Sequence, residues 1–398
     1  MIIRVHRGQN QIGGSILEIE SGSTHVILDV GINLDEEQDI EVPQIEGLFC
    51  GDPAYDAVVI SHYHSDHVGL LKYVLTEIPI YMGKQTFNTI SSSRSYMGKN
   101  VDFSHLEFQD KETINIGELT ITPYKCDHSA YDSYMFLISD GSKKVLYSGD
   151  FRANGRKDYA FLLDSLPEVD ALIVEGTMLS RDTYDDNIQE EDLEDIAVKA
   201  LEKYKGPAFL MSSAMNVDRI VTGYNAATRT GRVFLEDLYT AGIMKSIGEG
   251  VPSPGEDNIK VFMTGGDSQY EMLQKYSDCK IGKQAIAKSS FVMCVRPSMK
   301  NYLNKLNEIL SFKNGILFYS MWKGYQEKAE IKDFLAYMEG LGVKIHVLHT
   351  SGHADINTID KLVSKVKPST IVPVHTINPK WYQRYDVKVV LDEKEVLV

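Results

Sequence analysis

Short apolar runs separated by polar turns recur along the whole chain. Ala57-Val58-Val59-Ile60 is β-branched and bounded upstream by Gly51-Asp52-Pro53, which predicts a buried strand. Upstream of it, residues 2–6, 15–19 and 25–28 read as strands, with Gln11-Ile12-Gly13-Gly14 as a turn between the first two. Downstream, the pattern predicts strands at 80–82, 113–116, 119–124, 133–139, 144–147 and 171–174, and helices at 70–75 and 86–94. The character then changes. An acidic stretch from Asp182 to Asp195 opens a helix with apolar Leu193, Ile196, Ala197, Ala200 and Leu201, which Gly206-Pro207 stops. Strands at 208–211, 232–235, 290–295 and 316–319 alternate with helices at 217–227, 301–310 and 326–341, the signature of a second, parallel-sheet unit. A strand at 343–348, a helix at 356–366 and strands at 370–374, 388–391 and 396–398 complete an α/β chain.

The polar residues that interrupt this pattern fall at the carboxyl ends of predicted strands, where α/β sheets place their chemistry. Ser61-His62-Tyr63-His64-Ser65-Asp66-His67 follows the strand at 57–60. Three of the chain's 11 histidines lie within six residues there, too dense for chance in 398 residues. Imidazoles and a carboxylate in this number suit zinc or a similar divalent ion, and four adjacent side chains on one loop suggest two ions sharing it. Asp29, His128, Asp150, Glu175, His353 and His375 each sit just beyond another predicted strand or its loop. Asp29 reads equally as a turn cap or as a carboxylate that orients a ligand histidine. If His353 and His375 join His62 and His64, both chain ends build one domain and the middle is an insertion.

Composition narrows the classes. Four scattered cysteines form no C-x-x-C pair, which argues against a disulfide scaffold or a cysteine zinc site and suits a cytoplasmic protein. The start of the chain has no signal-peptide pattern, and no apolar run approaches membrane-spanning length. A formal net charge of −15 lacks the basic face usual for nucleic-acid binding, so any such site must be a local groove.

With His62-x-His64-x-Asp66-His67, His128, Asp150 and His375 in place, the chain resembles the metallo-β-lactamase superfamily. Glu175-Gly176-Thr177, Ser351-Gly352-His353-Ala354 and Pro373-Val374-His375 are similar to the three extra motifs of its β-CASP branch, the nucleases that include ribonuclease J. The resemblance implies an αββα sandwich carrying an inserted β-CASP α/β domain. The expected boundaries are 1–178 and 341–398 for the sandwich and 179–340 for the insertion. It also implies two divalent ions, zinc or manganese: one on His62, His64 and His128, the other on Asp66, His67 and His375, with Asp150 bridging. A histidine at the third motif implies RNA as substrate, whereas DNA-processing members usually carry valine. The family's dimerisation domain is not expected after His375, and the oligomeric state, a homodimer included, is left open. The Gly-Ser-Gln-Gly-Glu-Pro stretch of ribonuclease J is replaced by Cys294-Val295-Arg296-Pro297-Ser298-Met299, which puts a 5′-end pocket in question.

Phosphodiester hydrolysis also follows from the residue types. Two close divalent ions acidify a water and offset phosphate charge. Asp66 would orient or accept a proton from the nucleophile, and His353 would donate one to the leaving oxygen, positioned by Glu175. Ser351, Ser212, Ser213, Arg219 and Arg296 are the expected phosphate contacts. Tyr319-Ser320-Met321-Trp322-Lys323 offers a ring for base stacking, although aromatic clusters in a domain of this size are more often core. The alternatives are a DNA nuclease, a hydrolase of small esters, thioesters or lactones, and a non-catalytic RNA-binding subunit. A small-molecule hydrolase would leave the middle domain and His353 without a role, and every ligand position of a catalyst is filled.

Overall fold

The computed structural model describes residues 1–34, 40–180, 187–256, 258–265 and 267–398. The acidic stretch expected from Asp182 thus lies outside the described residues as far as residue 186.

Two seven-stranded sheets face each other. The first runs in the order Glu395–Leu397, Ile2–Arg7, Ile16–Ser21, Thr24–Leu28, Ala57–Val59, Ile80–Gly83, Leu106–Phe108. The second runs Lys388–Val389, Thr370–Val374, Ala171–Glu175, Lys144–Tyr147, Ser133–Ser139, Leu119–Cys126, Ile114–Ile116. Their inner faces share one core, in which Val5, Leu17 and Val59 of the first sheet meet Phe136, Val145 and Ile173 of the second. Outside the second sheet, helices Tyr159–Ser165 and Ile356–Val366 bury Leu162, Leu362 and Val366. Outside the first, Leu70, Leu71 and Val74 pack on Val58 and Ile80. The result is an αββα sandwich. The chain's two ends meet in it, since Glu395–Leu397 pairs antiparallel with Ile2–Arg7.

The middle of the chain forms a third sheet of six parallel strands, Ile259–Phe262, Val233–Asp237, Phe291–Cys294, Ala208–Met211, Ile316–Tyr319 and Lys344–Val347. Helices cover both faces, so its central strands are buried on both sides and read as continuous apolar runs. Lys344–Val347 was expected in the returning half of the sandwich. It is instead hydrogen-bonded in parallel to Ile316–Tyr319 as the edge of the third sheet. We therefore propose that the chain returns to the sandwich after residue 347.

Other expectations shift locally. Residues 70–75 form one 3-10 turn, Leu71–Tyr73, because the chain must re-enter a strand at Ile80. Helix Leu238–Ile247 and strand Ile259–Phe262 lie where the pattern showed nothing. The helix follows its strand with no intervening turn residues, its first turn capped by the Asp237 carboxylate accepting from the Tyr239 amide.

Candidate metal centre

Asp29, His62, His128, Asp150, Glu175 and His375 leave or end strands of the two facing sheets at one rim of the sandwich. Close backbone packing brings the loops together. An added Cβ on Gly31 would lie 1.6 Å from the Asp66 carbonyl oxygen, so no other residue fits beneath that loop. Asp29 and His375 both adopt positive φ, 60° and 51°, a conformation that non-glycine residues seldom hold except where surroundings impose it.

Three imidazoles converge at this rim. His62 Nε2 and His128 Nε2 lie 3.2 and 3.1 Å from His64 Nδ1. A tetrahedral ion with bonds of about 2.0–2.1 Å to nitrogen sets its ligand atoms about 3.3–3.4 Å apart, so the spacing is nearly that of an ion's coordination shell. Burial and the neighbouring imidazoles push His62 and His128 well below the ordinary histidine range. Burial also takes His64 down to about 4, against the pull of Asp66 and Asp150. Neutral rings with converging lone pairs are what a divalent ion requires.

A second group lies alongside. His375 Nε2 is 3.1 Å from Asp66 Oδ2, and His67 Nε2 is 3.2 Å from Asp150 Oδ2. Asp150 Oδ2 stands between the groups: 3.9 Å from His62 Nε2 and His128 Nε2, and 3.7 Å from His375 Nε2. Burial opposes ionisation of both carboxylates. His375 and His67 nevertheless bring Asp66 down to about 2, and His375, His67 and His353 hold Asp150 well below the usual range. Asp150 Oδ1 is buried and has no hydrogen-bond partner among the described residues, while Oδ2 of the same carboxylate faces His67 Nε2. An orphaned carboxylate oxygen at this depth is costly, and a cation beside it satisfies it. The donor set thus fits divalent metal binding.

The far side of each ring is held. His67 Nδ1 lies 2.8 Å from Asp29 Oδ2, which also accepts from the Ser61 and Tyr147 hydroxyls, each at 2.7 Å. Ser61 Oγ meets His62 Nδ1 at 3.0 Å, Thr177 Oγ1 meets His375 Nδ1 at 2.8 Å, and the Gly352 carbonyl accepts from His128 Nδ1. Such contacts fix the tautomer and aim the opposite nitrogen.

His353 stacks on His375 with ring centroids 5.5 Å apart. Its Nδ1 lies 3.2 and 3.1 Å from the two Glu175 oxygens, while Glu175 also accepts the backbone amides of Phe151, Thr177 and Ala354. Burial opposes protonation of His353, but Glu175 and Asp150 outweigh it and raise the ring to about 9.

The expected phosphate contacts separate. Ser351 and Ser213 line a cavity of about 810 Å3 between the sandwich and the third sheet, together with His64 and His353. Ser212 lines a smaller cavity of about 240 Å3 with Arg296, and Ser213 borders both cavities. Arg296 itself is ion-paired to Asp237 at 2.6 Å and donates to the Tyr96 hydroxyl at 3.0 Å, so its charge is already balanced. Arg219 is a plain correction. It is fully buried, with its guanidinium on Glu190, the Ser320 hydroxyl and the Leu348 carbonyl, and it faces no solvent from which a phosphate could approach.

Several residues escaped the sequence. Arg152, also fully buried, joins Asp127, Glu190, Asp218 and the Ser351 carbonyl. Tyr63, inside the histidine loop, donates to the Met215 carbonyl at 3.0 Å and accepts from the Tyr131 amide at 2.8 Å. Nothing in residue type or spacing signals these roles. Thr177, next to Glu175 in a quoted motif, was the one within reach.

Fold and donor set define a metallohydrolase of the metallo-β-lactamase fold. Residues 48–211 match a family model described as a beta-lactamase superfamily domain, and residues 341–377 match a Zn-dependent metallo-hydrolase RNA specificity domain. An RNase J-like protein of Methanocaldococcus jannaschii is 24% identical over 94% of this chain and 92% of its own length. Ribonuclease J 1 of Streptococcus pyogenes is 23% identical over 92% of this chain, which spans 67% of that protein; ribonuclease J of Sinorhizobium meliloti is 23% identical over 85% of this chain and 60% of its own length. A crystal structure of a protein of unknown function from Enterococcus faecalis V583 has the same fold, with a TM-score of 0.83 at 19% identity, covering 100% of this chain and 99% of that one. Together these matches support the β-CASP, ribonuclease J-like family. Among the described residues, no helix is long and apolar enough to cross a membrane.

Proposed function

We propose that the protein is a metal-dependent ribonuclease that hydrolyses phosphodiester bonds in the cavity between the sandwich and the third sheet. His62, His64 and His128 would hold one divalent ion and Asp66, His67 and His375 a second, with Asp150 within reach of both groups. The observation that carries this reading is the position of Asp150 Oδ2, within 3.9 Å of ring nitrogens of both groups. Three imidazoles on one side favour zinc over harder ions. Bound there, the ions supply Lewis acidity toward water and toward the phosphoryl oxygens. Asp66, ionised and beside His375, orients the nucleophile. His353 has Nδ1 engaged by Glu175, which leaves Nε2 to donate a proton to the departing oxygen. Ser351 accepts the His353 amide at 3.1 Å and so braces the loop that presents the ring. RNA rather than DNA is favoured by the RNA specificity domain matched over residues 341–377 and by the names of the relatives.

The purified protein should contain close to two equivalents of zinc and cleave a labelled RNA faster than the matched DNA. A chelator should abolish that cleavage and added zinc restore it. Equal cleavage of DNA, or chelator-resistant turnover, would overturn the assignment.

A further inference from the structure

Of the two readings of residues 319–323, stacking ring or core, the structure favours the first for Trp322, which is half exposed, at 50%. It lines the same cavity as His64 and His353, at the carboxyl end of strand Ile316–Tyr319. Two more of the exposed large hydrophobic residues, Leu34 and Ile377, line that cavity as well. Apolar side chains that line a cavity and stay in water mark a binding surface.

The indole is held from behind. The Trp322 carbonyl accepts from the Tyr319 hydroxyl and the Tyr325 amide, both at 3.0 Å. The Tyr325 ring meets the indole edge-on, with centroids 5.4 Å apart. Gly324 lies so close that an added Cβ would stand 2.3 Å from the six-membered ring. A ring fixed this way loses little freedom when another flat group stacks on it.

The rest of the wall selects the guest. In a chain of net charge −15, no carboxylate lines this cavity among the described residues. Amides and hydroxyls such as Asn10, Gln11, Asn33 and Ser213 do, and Lys328 is the one Lys or Arg among the described lining residues. Neutral donors and acceptors therefore make up most of the described wall. A volume of about 810 Å3 accommodates a few nucleotides of one strand. We propose that Trp322 is the stacking platform for an RNA base held in this cavity. The inference rests on the ribonuclease reading, and a base-paired nucleotide keeps its faces inside its own stack and cannot meet the indole.

The test is equilibrium binding of the metal-loaded protein to single-stranded 2′-O-methyl phosphorothioate oligonucleotides of about eight residues. Each carries one abasic position, and integrity is checked on a gel. In the native protein one abasic position should weaken binding about tenfold, and Trp322→Ala should cost the same (about 1.4 kcal/mol). In Trp322→Ala that abasic position should have no further effect, and Trp322→Phe should restore most of the affinity. Gly324→Ala, which keeps the indole but displaces it, should fall between. An unchanged abasic profile in Trp322→Ala, or undiminished binding, would overturn the proposal and leave the indole to a protein partner. Failure of the native protein to bind any RNA would instead sink the ribonuclease reading on which it rests.

Discussion

His353 and Asp150 lie 3.7 Å apart, yet their substitutions should behave differently. His353→Ala removes a ring engaged with Glu175, so the ions should stay while cleavage falls by about 10²–10⁴-fold, the usual worth of a positioned acid. Asp150→Ala removes the oxygen between the two donor groups and should lose metal together with activity. Metal analysis beside single-turnover cleavage separates the two, and loss of both ions from His353→Ala would place that ring in the ligand set. Asp29 is subtler. Asn fits the same positive φ but carries no charge to hold His67, so Asp29→Asn should weaken metal binding by about 10–100-fold in chelator competition. At this scale the sequence was legible where residue type alone announces chemistry, as in three histidines within six positions. It was opaque for Arg219 and Arg152, because whether an arginine faces a phosphate or a buried glutamate depends on contacts with residues far away in the chain.

Among elements, the first three strands are tied by one buried carboxylate. Glu18 on Ile16–Ser21 meets Arg4 and His6 on one neighbour at 2.7 Å each, and His25 on the other at 2.9 Å. Burial would raise Glu18, but the hydrogen bonds from His6 and His25 and the charge of Arg4 outweigh it and bring it from 4.5 down to about 2. A carboxylate depressed on folding stabilises the native state fully above its unfolded value and loses that contribution as pH falls through its folded one. Native protein should therefore exceed Glu18→Gln in urea midpoint at pH 7, with the gap closing between pH 4.5 and about 2. A gap that persists at pH 2 would exclude the ionised carboxylate as its source. Elements were legible where turns punctuate them, as at the strand 57–60 behind Gly51-Asp52-Pro53. Helix Leu238–Ile247 was not, since its cap is the last residue of the strand before it. Nor was the membership of Lys344–Val347, because a strand's sequence does not name the sheet it joins.

Across the whole molecule, two buried arginines join the third sheet's region to the metal rim. Arg152 leaves the loop after Asp150 to reach Glu190 and Asp218, and it holds the Ser351 carbonyl two residues before His353. Arg219 pairs with the same Glu190 and holds Ser320 and the Leu348 carbonyl, two residues before Trp322 and three before Ser351. Glu190 is thus shared, and although burial opposes its charge, Arg219 and Arg152 bring it to about 2. Removing one partner from such a network strands the other's charge, which typically costs about 3–5 kcal/mol, whereas replacing the charges together by apolar groups costs far less. Arg219→Met should lower the urea midpoint by that order, and Arg219→Met with Glu190→Met should recover part of the loss despite Arg152. The same variant discriminates the position's two readings. Were Arg219 a phosphate contact, its loss would reduce the salt dependence of RNA binding by about 0.7 in slope and leave stability unchanged. With the guanidinium sealed beneath the cavity, stability should fall and the salt slope should hold.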